Sequence, residues 1–201
     1  MRKHLLFSLF LIIYYLCFLN TKKTMKIADK EFEPFISEAE ILQHVKSVAQ
    51  AINNDFADKK PIFIGIMNGA FMFLSDLMKE ITIPCEVSCM KLSSYAGTES
   101  SGVVSIQNDL STDIKGRTVI IVEDIVESGL SMRTLMERIK KEQPAEIHIA
   151  TMFLKPNMLK IKDLKIDYIG MKIPDEFIVG YGLDYNEYGR NNRDLYKIKA
   201  V

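Results

Sequence analysis

Two kinds of apolar spacing take turns along the chain. In "ISEAEILQHVKSVAQAINNDF", Ile41, Leu42, Val45, Val48, Ala49 and Ile52 fall on one face at helical spacing. Ser37, with Glu40 three residues later, gives that helix a capping-box start. "PIFIGIM", residues 61–67, is instead a continuous apolar run, the pattern of a strand buried on both faces. Asn68 and Gly69 break the run, and "AFMFLSDLMKEI" resumes helical spacing. "CEVSCMKLSSY" reads as a strand, "AGTESSG" as a polar loop and "VVSIQNDL" as a returning strand. "GRTVIIVED" predicts another buried strand, followed by a helix over about 131–141. "EIHIATMFL", "IDYIGMKI" and "FIVGY" complete the predicted strands. Helices alternating with buried strands predict an α/β fold built on a parallel sheet. There is no internal repeat, low-complexity stretch or linker.

Residues 1–24 stand apart from this pattern. A basic start precedes an apolar run from Leu5 to Leu19, the form of a signal or short anchor. The run is short of the roughly 20 residues that a spanning helix needs. Its end, "LCFLNTKKTM", is bulky and basic and holds no small-residue cleavage site. Met25, opening "MKIADKEFEPF", reads as the start of the body. That divides the chain into an extension, 1–24, and one domain, 25–201, with the extension arising from a misplaced start. An uncleaved membrane anchor over 5–19 is the other reading.

The 201 residues suit one domain with a sizeable core. Lys plus Arg and Asp plus Glu both count 26, so the formal charge is zero and a broad nucleic-acid footprint is not expected. Cys17, Cys85 and Cys89 are odd in number and lack metal spacing, which fits reduced thiols in a cytoplasmic protein. His4, His44 and His148 are scattered.

The sharpest feature is "VIIVEDIVESGLSM", residues 119–132, where an apolar strand runs into Glu123, Asp124 and Glu127. Ligands of open α/β sheets bind beyond the carboxyl ends of strands. The "ESGLS" turn opens a helix, whose free N–H groups and dipole suit a phosphate. Gly129 allows close approach, and Ser128 and Ser131 add hydroxyls. Paired carboxylates suit sugar hydroxyls or hydrated magnesium. A ribose phosphate satisfies both ends. Acids that merely cap a helix are the ordinary alternative.

This stretch resembles the phosphoribosyl pyrophosphate motif of type I phosphoribosyltransferases: strand, two acids, two further residues, then acid-Ser-Gly. From about Ser37 to Lys199 the body is similar to the hypoxanthine-guanine branch. "GIMNGAFMFLSDL" resembles its pyrophosphate loop, "LSSYAGTESSG" its mobile catalytic loop, and "IPDEFIVGYGLDYNEYGRN" its purine end with a metal aspartate. The resemblance implies an α/β fold of the type I phosphoribosyltransferase kind. It has a mainly parallel sheet flanked by helices and a small purine-binding hood. It implies a purine salvage enzyme that moves phosphoribose from phosphoribosyl pyrophosphate to hypoxanthine or guanine. It also implies magnesium and a homodimer or homotetramer.

The same resemblance implies a role for each residue. Glu123 and Asp124 would accept from ribose hydroxyls and help order magnesium, and Asp184 would coordinate it. Glu127, Ser128, Gly129, Leu130 and Ser131 would cradle the sugar phosphate. Met67, Asn68 and Gly69 would hold pyrophosphate by main-chain N–H groups, with the Met67–Asn68 bond a candidate for cis. Lys155 would donate to the purine oxo group, Phe177 would stack on the ring and Ile178 would meet its edge through backbone. Arg190 would pair with pyrophosphate. Ser94 and Tyr95 would close over the site, and Glu127 would exchange a purine proton. Without the resemblance, Lys155 reads as a solvated lysine, Phe177 as core, Asp184 as a turn aspartate and "MNGA" as an ordinary strand-to-helix turn. The family commonly has aspartate at 127 and often lysine at 130, so Glu127 and Leu130 are departures. The rival reading, from another class, is a relative that binds ligand or RNA without turnover.

Overall fold

The computed structural model describes residues 24–94, 104–108, 110 and 112–199, with backbone alone for 92–94 and 104–108. Among these the elements run β1 (Met25–Ile27), β2 (Lys30–Ile36), α1 (Glu38–Asp55), β3 (Ile62–Met67), α2 (Phe71–Glu80), β4 (Glu86–Ser94), β5 (Val104–Asn108), β6 (Thr118–Val126), α3 (Leu130–Lys140), β7 (Glu146–Leu154), a 3₁₀ turn (Pro156–Met158), β8 (Tyr168–Lys172), β9 (Ile178–Val179) and β10 (Leu195–Ile198).

A six-stranded sheet has the order β5-β4-β3-β6-β7-β8. Neighbours from β4 to β8 pair parallel, and β5 returns antiparallel on β4. The unbroken apolar runs have the expected cause: both sheet faces are covered. Phe63, Ile120 and Val122 pack with α1 and α2, while Ile62, Ile64, Val119 and Ile121 pack with α3. Helix α1 starts where the capping pattern places it, with the Ser37 hydroxyl accepting the Glu40 N–H at 3.3 Å. Such a cap contributes about 1 kcal/mol. Of its predicted apolar face, Leu42 alone stays partly exposed.

Three details correct the sequence pattern. Helix α3 spans 130–140, one residue earlier than expected, because Gly129 caps it in the left-handed region at φ 78°. Strand β6 runs past Asp124, the end of the expected strand, to Val126, kept in the sheet by β7 after its pairing with β3 ends at Gly65. The third is a second, antiparallel sheet of order β1-β2-β10-β9. Three of its strands, β1, β2 and β10, are absent from the sequence pattern. Phe32 and Val179, fully buried, form its centre with Ile27.

At the end of the large sheet where β6 and β7 begin, Glu146 gathers Lys59, the Thr118 hydroxyl at 2.7 Å and His148 Nε2 at 3.2 Å. Donation from Lys59, then Thr118, holds its pKa down from 4.5 to about 2. A depressed carboxylate adds stability above its unfolded pKa and loses it as pH falls through the folded one. The stability gap between the wild type and Glu146→Gln should therefore narrow as pH drops from about 5 to about 2. Thermal melts across that window check this, and a constant gap would refute it.

Candidate active site

Past Val122, strand β6 loses β3 on one side, and Met67–Gly69 swings into the turn that opens α2. The Met67–Asn68 peptide bond is cis. Gly69 lies directly against Asp124: a Cβ there would stand 1.8 Å from Asp124 Oδ2. On the other side, a Cβ on Gly182 would stand 2.0 Å from the Gly69 carbonyl oxygen. The three segments come this close because two of the contact points are glycines: Gly69 meets the Asp124 carboxylate, and Gly182 meets the Gly69 backbone.

The acids sit where the strand's alternation reverses, since Val122 packs on the α1 and α2 side and Val126 on the α3 side. Asp124 is buried, and its Oδ1 accepts the Ile125 N–H at 2.8 Å. Glu123 keeps some surface exposure while being densely surrounded by protein, and its Oε1 accepts the Asp124 N–H at 3.2 Å. Burial, then the charge of Asp124, pushes the Glu123 carboxyl well above its usual range. Burial also raises Asp124, against the nearby positive charge of Arg190. Two crowded carboxylates raised in this way fit a site that a cation or hydroxyl donors would relieve.

Beyond the acids, Glu127 to Ser131 curl around a cavity of about 140 Å³ lined by Glu123, Glu127, Ser128, Gly129 and Ser131. The loop is pinned from behind, where the Ser128 carbonyl accepts the Lys160 N–H at 3.0 Å. Gly129 is packed against Leu159 and Leu164, and the Leu130 N–H meets Ser128 Oγ at 3.3 Å. With an 11-residue helix starting here, the arrangement suits an anion. The Leu130 side chain takes no part in this geometry, so a lysine is not needed for the turn.

Lys155 lies just beyond β7 and is 5% exposed. It is not the solvated lysine of the ordinary reading. Its ammonium pairs with the Glu127 carboxylate. A buried ammonium is costly unless it is paired, and the half-exposed Glu127 carboxylate is the partner it has here.

The hood supplies the remaining expected residues. Phe177 is 47% exposed, not core, and stands edge-on to Tyr185 at 5.7 Å. Ile178 is buried and pairs through β9 with Lys197. Arg190 holds Asp184 at 2.7 Å and donates to the Gly182 carbonyl at 3.0 Å. A second cavity, of about 490 Å³, brings Arg190 to the same wall as Met67 and Asn68. Ser94 ends β4, with nothing described of its side chain, and Tyr95 lies outside the described residues. The sequence pattern did not reveal Asp76 and Tyr181, which join α2 to the hood by a hydrogen bond of 2.9 Å. The tight glycine spacing of "GYGL" around Tyr181 was the available signal.

Among the described residues, no three His, Cys, Asp or Glu side chains gather to hold a metal on their own. The donors present are hard carboxylate oxygens, in ones and twos. That donor set fits magnesium, which is held by one or two carboxylates together with phosphates and water.

Comparison with known proteins identifies the family. Residues 37–186 match the phosphoribosyl transferase domain, and the chain belongs to that family. It is 41% identical over 157 residues to a hypoxanthine-guanine phosphoribosyltransferase of Streptococcus pneumoniae, covering 78% of this chain and 87% of the relative. It is 42% identical to the Bacillus subtilis protein of the same name over the same shares. Among solved structures, a hypoxanthine phosphoribosyltransferase of Staphylococcus aureus matches with a TM-score of 0.79 and 38% identity, over 83% of this chain and 91% of that one. A mutant of the Trypanosoma cruzi enzyme, complexed with the product IMP, matches with 0.78 and 29%, over 87% and 93%.

A methyl group added at Gly69 would run into the Asp124 carboxylate, 1.8 Å from Oδ2 and 2.5 Å from Cγ. Gly69→Ala should lower stability by about 1–3 kcal/mol, the usual cost of overpacking. Urea unfolding reads this directly, and an unchanged midpoint would contradict the contact.

Proposed function

We propose that the chain is a purine salvage enzyme. It transfers phosphoribose from phosphoribosyl pyrophosphate to hypoxanthine, and to guanine, giving IMP or GMP and pyrophosphate. The observation that carries the base specificity is the Glu127–Lys155 pair beside the phosphate loop. A 6-oxopurine presents a carbonyl acceptor and a ring N–H side by side. The carbonyl can take the place of Glu127 on Lys155, and Glu127 is freed for the ring nitrogen. Phe177, exposed at the hood, stacks on the ring, and the Ile178 backbone meets its edge.

In the reaction the bond from the anomeric carbon to pyrophosphate breaks, and the purine nitrogen bonds to that carbon. The purine gives up one proton, which Glu127 receives, and pyrophosphate departs with the electron pair. Positive charge grows on the ribose, beside Glu123 and Asp124. Arg190 and the main chain of Met67, Asn68 and Gly69 face the negative charge of the leaving group. Asp184, with Glu123 and Asp124, would hold magnesium, which would supply positive charge to offset the negative charge of the pyrophosphate. The N–H groups of Glu127 to Ser131 hold the 5′-phosphate. Ser94 and Tyr95, carried over from the family pattern, cover the site against water.

The domain starts at Met25, and the segment before it is an extension outside the catalytic unit. Among the described residues, no helix is long and apolar enough to cross a membrane. Cys85 and Cys89 are free thiols, as suits the cytoplasm. A homodimer or homotetramer is the assembly we propose.

The deciding assay mixes the protein with phosphoribosyl pyrophosphate, magnesium and each purine in turn. Adenine carries an amino group where Lys155 needs an acceptor. Its kcat/KM should fall below that of hypoxanthine by on the order of 10⁴, the scale for a buried polar partner left unmatched. Comparable use of adenine would sink the assignment of Lys155.

Glu127→Gln tests the proton. Turnover should drop by about 10²–10⁴, with a smaller change in the KM for phosphoribosyl pyrophosphate. Full turnover in the variant would reduce Glu127 to a partner for Lys155.

A further inference from the structure

One pyrophosphate has to be held by two loops that belong to different sheets. Met67–Gly69 extends from the large sheet, whereas Asp184 and Arg190 lie in the turn after β9 of the hood. Tyr181 stands in that turn, with backbone in the left-handed region at φ 47° and 1% exposed. Its hydroxyl donates to Asp76 Oδ2 at 2.9 Å. Asp76 is in α2, the helix that grows directly out of the Met67–Gly69 loop. The Tyr181 ring meets Phe153 edge-on at 6.3 Å, so its direction is set from two sides. Its neighbour Gly182 backs onto the Gly69 carbonyl and accepts from Arg190.

We propose that Tyr181 is a positioning residue for the pyrophosphate half of the site. Its bond to Asp76 sets the hood turn, and with it Asp184 and Arg190, at a fixed distance from the Met67–Gly69 loop. The inference rests on the functional reading above and adds a residue outside the set that touches substrate. Burial, then the negative charge of Asp76, keeps the phenol protonated well above its ordinary pKa, so the bond persists across the working pH range.

The molecule contains its own control. Tyr168 donates to Asp55 at 2.7 Å, the same chemistry joining β8 to α1 away from the pyrophosphate loop. Tyr181→Phe and Tyr168→Phe each delete one such bond. Both should melt slightly below the wild type. Tyr181→Phe alone should raise the KM for phosphoribosyl pyrophosphate by about tenfold, less than the roughly hundredfold that a 1 Å misplacement can cost. Its KM for hypoxanthine should stay within about twofold, because uniform binding is lost for one substrate only. Asp76→Ala, which removes the bond from its other end, should reproduce that split and add little on top of Tyr181→Phe. If Tyr181→Phe does not fold, Asp76→Ala decides. Equal KM values for phosphoribosyl pyrophosphate in the two Phe variants would overturn the inference, as would equal rises for both substrates. A wild-type protein without transferase activity would defeat the functional reading instead. Calorimetric binding of pyrophosphate with magnesium would still test Tyr181, expected to be weaker in Tyr181→Phe than in Tyr168→Phe.

Discussion

The oxygen of Asp124 lies where the Cβ of any residue other than glycine would stand at position 69. That approach governs the layout of the active centre. It goes with the parting of β3 from β6 after Gly65: β3 stays paired with β4 to Met67, while β7 alone carries β6 onward to Val126. It buries Asp124 beneath main chain, and burial is what raises its carboxyl. It also brings the first residues of α2 within reach of the hood, where Gly182 repeats the same device on the Gly69 carbonyl. Between strand and loop only the Asp124 carboxylate intervenes, and between loop and hood the backbones of Gly69 and Gly182 meet directly.

The charged groups around this stack come in opposite pairs: Glu127 with Lys155, and Arg190 with Asp184. Each pair satisfies itself inside the protein, which removes the penalty of an isolated buried charge. On the proposed reading, substrate would compete with an internal partner for each group it uses. A ligand that offers the right atom to only one member leaves the other unmatched. On the same reading, discrimination between bases would come from this exchange more than from attraction.

Much of the molecule was legible along the chain. Apolar runs covered on both faces read as parallel strands, and the acids of "VIIVEDIVESG" mark the sheet edge that the proposed function assigns to ligand. The hood was not legible as a sheet. Lys30–Ile36 carries Pro34 and three glutamate or lysine positions, which mute its alternation, and β9 is only two residues long. Its strands gain their apolar partners only when distant segments meet, as Phe32 does with Val179. The partnership of Glu127 with Lys155 was hidden for a similar reason. Each residue was assigned its own contact with the base, and nothing in the local sequence indicates that β6 and β7 bring the two side chains together.

The order of the hood sheet, β1-β2-β10-β9, interleaves the beginning of the body with its last strand. Leu195–Ile198 lies between β2 and β9 and pairs with both. During synthesis on a ribosome, every strand of the large sheet is made before this central strand emerges. The nascent chain can assemble its sugar-phosphate loop early, yet the surface for the base closes only at the end. On the proposed assignment, the segment for the sugar phosphate is thus made before the strand that completes the hood for the base.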